Sequence, residues 1–84
     1  MEFEKEVNYL GIEEKVIKNG DKAGQKFYVL KFICLNDPFE VSIFDDPILV
    51  GKFVNFERFQ DLILRLKLSQ KNGELKLQIL DLVA

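Results

Sequence analysis

The sequence predicts an all-β domain folded as a small five-stranded Greek-key barrel, and three observations lead there. Short runs rich in aliphatic, β-branched and aromatic residues follow one another along the 84-residue chain. Polar, glycine- or proline-bearing stretches separate them at regular intervals. Near the C-terminus two alternating runs flank Asn72-Gly73, a pair favoured in tight hairpins because it tolerates positive φ.

The first strand is predicted over residues 5–18 and contains "VNYLGIEEKVI". Gly11 in its middle suits a sharp coil that lets one strand serve both sides of a barrel. The polar loop "KNGDKAGQ" leads to a second strand, "KFYVLKFIC", over residues 26–34. The turn "LNDP" precedes a third, "FEVSIF", over residues 39–44. "DDP" reads as another turn, since aspartate side chains accept hydrogen bonds from nearby backbone.

The next region mixes two periods. Phe53, Phe56 and Phe59 lie three apart, as on a helix, whereas Leu62, Leu64, Leu66 and Leu68 alternate, as on a half-buried strand. A hairpin around Asn72-Gly73 needs extended arms, so the extended reading is carried backward through the whole stretch. A fourth strand is thus expected over residues 52–59 continuing into 62–70, with a bulge or bend at Gln60–Asp61. The fifth covers residues 74–83. A long bent first strand and a closing hairpin suit a barrel of the OB type, with an SH3-like barrel as the structural alternative.

Composition fits one domain, residues 1–84, near the lower size at which a single core suffices. Apolar residues make up 48 % and charged residues 31 %, a globular balance. The single cysteine, Cys34, forms no internal disulfide and is expected as a buried thiol within "KFICL". No apolar run is long enough to cross a bilayer, and "MEFEKEVNYL" lacks the basic and apolar regions of a signal peptide. A cytoplasmic location is expected.

Catalysis is not expected. Histidine is absent, Cys34 therefore has no imidazole partner, and Ser42 and Ser69 sit in apolar alternation without a base. Asp45-Asp46 reads as a turn rather than a metal site, and no zinc spacing or phosphate-cradling glycine pattern occurs. No cofactor is implied.

The net charge of −2 argues mildly against a nucleic-acid binder, but the distribution is uneven. Residues 1–14 hold Glu2, Glu4, Glu6, Glu13 and Glu14 against Lys5 alone. Residues 15–31 reverse this with Lys15, Lys18, Lys22, Lys26 and Lys31 against Asp21. The alternation repeats, acidic over 32–57 and basic over 58–76. Basic segments placed side by side would give a positive face despite the negative total.

Single-stranded nucleic acid is held by basic grooves whose aromatic rings stack on bases. Lys22, Lys26 and Lys31 interleave with Phe27, Tyr28 and Phe32. Lys52 and Arg58 do so with Phe53, Phe56 and Phe59. At least half of these aromatics are expected in the core. Alternation places Phe27, Val29, Lys31 and Ile33 on one face, which favours Phe27 over Phe32 for stacking. Tyr28 is either a core residue with its hydroxyl at the edge or a second stacking residue. Arg65 and Lys67 alternate with leucines as a solvated strand face.

The segment "KNGDKAGQKFYVLKFICLNDPFEVSIFDDP" resembles the helix-destabilising single-stranded-DNA-binding proteins of filamentous phages, and more broadly OB-fold proteins of phages and mobile elements. A basic glycine-containing loop, then Gly24-Gln25-Lys26-Phe27-Tyr28 entering a strand, then a late Cys34, carry the likeness. The resemblance implies phosphate contacts for Lys18, Lys22 and Lys26, base stacking for Phe27 or Tyr28, and a homodimer or higher homo-oligomer. The chain departs from that family in its acidic N-terminal segment and in its longer stretch after Gly51.

From the residue pattern, Lys31, Phe53, Arg58 and Phe59 join the candidate set. The leading expectation is a single-stranded DNA binder with little sequence preference; RNA is not separable from DNA here. The rival is a protein-interaction module, an accessory component of a replication, recombination or transfer complex.

Overall fold

A computed structural model covers residues 1–84 and shows five strands and one short helix. Strand β1 spans Glu2–Val16, β2 Lys26–Cys34, β3 Asp37–Ile43, β4 Asp61–Lys71 and β5 Glu74–Leu82, with helix α1 at Pro47–Gly51. They form one antiparallel sheet in the order β3-β2-β1-β4-β5. Three consecutive strands followed by a fourth that returns beside the first is a Greek key. The sheet curls into a half-barrel of OB-like type. Its two end strands approach each other along a seam between Ser42–Phe44 and Lys76–Ile79.

The curl originates in β1, which divides its pairing. Residues Glu2–Asn8 pair with β4 and residues Asn8–Val16 pair with β2. The register to β2 shifts between Tyr9 and Gly11, so Leu10 is the extra residue of a bulge. Gly11 has φ 154°, a conformation that side-chain-bearing residues rarely adopt, so the predicted coil falls where the glycine stands. Tyr9 stays tied to the other side: its N–H donates to the Gln60 carbonyl at 2.9 Å, and its carbonyl accepts from Phe59 N–H.

Inward-facing residues from every strand build one core. Val7, Tyr9, Leu30, Phe32, Val41, Ile43, Leu62, Leu64, Leu66 and Ile79 are all buried. The leucine alternation of β4 thus reads directly as inside and outside, with Arg65 and Lys67 exposed. Tyr9 lies among Phe32, Phe53 and Phe56, with ring centres 5.8 to 6.3 Å apart. Its burial raises the phenol pKa above the ordinary value.

The stretch between β3 and β4 corrects the sequence reading: residues 52–59 are not a strand. Asp46 caps α1, its side chain accepting from Leu49 N–H at 3.1 Å, and Pro47 occupies the first turn, where no N–H is needed. Leu49, Val50 and Phe53 then turn into the core, and an irregular segment delivers Phe56 beside Tyr9. Neither period describes this stretch: the helix ends at Gly51, Phe53 lies in the turn that follows and Phe56 in irregular backbone. The strand begins only at Asp61.

The tight hairpins follow turn chemistry. Leu35-Asn36 and Asn72-Gly73 each link paired strands as two-residue loops with positive φ at both positions. Cys34 is half-buried rather than fully enclosed, because its strand ends at the first of these turns.

These placements separate three substitutions by urea denaturation. Phe53→Ala is expected to destabilise by about 3–5 kcal/mol. Gly11→Val should cost about 1–3 kcal/mol through backbone strain. Phe59→Ala, on an exposed ring, should stay within about 0.5 kcal/mol. A Phe59 cost equal to that of Phe53 would contradict this core.

Candidate nucleic-acid interface

The outer face of β2 and β3 carries an exposed aromatic pair. Phe27 and Phe44 stack with ring centres 4.8 Å apart and planes 17° from parallel. The pairing register sets this up: Tyr28 lies opposite Ile43, so the residues one step outward fall side by side on the other face. Phe27 is half-buried and Phe44 is 51 % exposed. On β1, Lys15 lies opposite Phe27 with no ion-pair partner. Val29, on the same outer face, is buried between the cross-strand neighbours Glu13 and Ser42.

Beside this pair, the β1–β2 loop holds Lys18 and Lys22 in solvent. The loop is closed at its base by Ile17 N–H to Gln25 O at 2.9 Å and Gly24 N–H to Ile17 O at 2.8 Å. Gly24, at φ 92°, makes the second of these bonds from a left-handed conformation suited to glycine. The two lysines thus sit on a built loop next to the aromatic pair, and neither is engaged by a carboxylate.

The two lysines of β2 are paired. Lys31 Nζ lies 2.9 Å from Glu13, and Lys26 Nζ lies 3.4 Å from Glu14. The two basic segments of the sequence do not lie side by side, because acidic β1 runs between β2 and β4. It contributes Glu4 to Arg65 on the other flank at 3.1 Å. The continuous positive face that adjacency would have produced is replaced by alternating charge.

The aromatics are sorted as sharply. Phe53 was a stacking candidate, but it is fully buried against Tyr9 and Phe32 and has no face free for a base. Tyr28 points inward, packs on the core edge and donates its hydroxyl to Glu14 at 3.3 Å, which decides between its two sequence readings. Phe59 is 61 % exposed, with the Arg58 guanidinium 5.2 Å from its ring centre. It stands beside Tyr9 on the β4 side of β1, across that strand from β2. Phe27 is the only predicted ring on the outer face of β2. Phe44 and Lys15 were missed; only the register of β1, β2 and β3 brings them to Phe27.

Comparison with family models, curated proteins and solved structures finds no match for the chain. The fold defines it as a small antiparallel β-barrel protein. No helix is long and apolar enough to cross a membrane.

The Glu13–Lys31 pair has a testable titration. The Lys31 ammonium donates to Glu13 and, with the charge of Lys15, holds its carboxyl below the usual range. The same bond raises Lys31. The contribution from Glu13 is therefore present above its unfolded pKa and lost as pH falls through its lowered folded value. The contribution from Lys31 is present below its unfolded pKa and lost as pH rises through its raised folded value. Carboxyl carbon NMR across an acid titration should show the Glu13 midpoint moving up in Lys31→Met; an unmoved midpoint would contradict the pairing.

Proposed function

We propose that this protein binds single-stranded DNA with little sequence preference on the outer face of β2 and β3. The observation that carries the reading is the Phe27–Phe44 stack, its Phe44 ring exposed, beside the unpaired Lys15, Lys18 and Lys22. A base laid on the open face of Phe44 extends an existing stack, so little aromatic surface must be reorganised. Every base offers such a π face, which makes the contact tolerant of sequence. Phosphates on either side fall to lysines, and release of their counterions supplies a salt-dependent part of the affinity.

The glutamates of β1 shape this reading. Glu13 holds Lys31 on the same outer face, so a phosphate reaching that lysine displaces a carboxylate. Affinity is thereby held below what the lysine count suggests, and readily reversible binding follows.

Fluorescence anisotropy of labelled oligo-dT at two salt concentrations tests the proposal. Saturable binding that weakens with salt is expected. Phe44→Ala should weaken it by roughly 1–3 kcal/mol with little change in salt slope. Lys18→Glu with Lys22→Glu should lower both affinity and slope. Glu13→Gln should tighten binding by freeing Lys31. A folded protein that binds no oligo-dT at low salt would overturn the reading.

A further inference from the structure

We infer that the free edge of the first half of β1 docks an extended peptide with basic residues at alternate positions, added as a further strand. Backbone parity exposes this edge. The main chains of Met1 and Tyr9 bond across to Leu68 and to Phe59–Gln60, so odd-numbered residues between them face β4. The N–H and C=O groups of Glu2, Glu4 and Glu6 therefore face the other way, and β2 takes up its partnership with β1 only from Asn8 onward. Beyond that point β1 and the end of β2 diverge around an open cleft of about 560 Å³. Val7 and Asn8 line one wall, and Ile33, Cys34 and Leu35 the other.

Charge selects the occupant. Glu4, Glu6 and Asp61 line the cleft against Lys5 alone. The fold already shows which strand chemistry matches β1, on its opposite side: Arg65 of β4 reaches Glu4 at 3.1 Å, and Lys67 lies opposite Glu2. Glu6 lies opposite Ile63 and is held by no cation. An added strand with β4-like alternation would place basic side chains beside these glutamates and apolar ones toward Val7 and Cys34. A second copy of this edge does not fit, because antiparallel self-pairing sets glutamates against glutamates, and like charges directly opposite destabilise a ladder. The inference stands apart from the nucleic-acid reading, since it uses the other end of β1.

The test is titration of the protein with a labelled peptide of about seven residues, long enough to span the free edge, alternating arginine and valine. Saturable binding is expected, with amide shifts at Glu2, Glu4, Glu6 and Cys34. N-methylation along the peptide's pairing edge should abolish it, because the backbone donors are then gone. Glu6→Lys, at an exposed residue with no partner in the fold, should weaken binding roughly tenfold. Absence of binding, equal binding of the methylated peptide, an unchanged Glu6→Lys affinity, or shifts confined to other residues would each overturn the inference.

Discussion

Strand β1 has to pair with β4 through its first half and with β2 through its second, and the bulge before Gly11 allows one strand to do both. The rest of the molecule depends on that division. If β1 ran straight beside both neighbours, the sheet would lie flatter and the Tyr9 ring would lose its enclosure by Phe32, Phe53 and Phe56. The bulge also fixes which residues face outward beyond it. Ile12 and Glu14 share the inner face with Leu30 and Tyr28, whereas Glu13 and Lys15 share the outer face with Val29 and Phe27. A register change of one residue would exchange these sets.

The same strand governs the electrostatics. Its glutamates lie between two strands that carry the lysines and arginine, and they pair outward to both: Glu4 to Arg65, Glu13 to Lys31, Glu14 to Lys26. Each pair is exposed, so each contributes little to stability. Their larger effect is on what the surface can bind. Cations held by glutamates are available to phosphates only by exchange, whereas Lys15, Lys18 and Lys22 are available at once. Loop lysines next to an aromatic pair therefore matter more to the proposed interface than the number of basic residues on β2.

Much of the fold was legible because strand alternation and turn chemistry are local. Leu62 to Leu68, Asn72-Gly73 and Gly11 each stated their structure within a few residues. The failure at residues 52–59 came from carrying the β4 period backward past Asp61, when Asp46-Pro47 already had the form of a helix start. The interface was less legible, because it depends on contacts between distant residues. Phe27 could be placed on a face from β2 alone, but its stacking on Phe44 depends on the β2–β3 register. The neutralisation of Lys26 and Lys31 likewise depends on which strand lies beside β2, which charge counts along the chain do not reveal.

The proposed interface requires Phe27 and Phe44 to be a platform for bases rather than a patch that merely covers Val29. Ring-proton NMR of the two phenylalanines during titration with oligo-dT addresses this most directly. Stacking on this platform is expected to shift the Phe44 ring and thymine protons upfield, with Phe53 unmoved in the core and Phe59 little affected. Saturable binding that leaves the Phe27 and Phe44 rings unshifted, or that shifts Phe59 in their place, would contradict it.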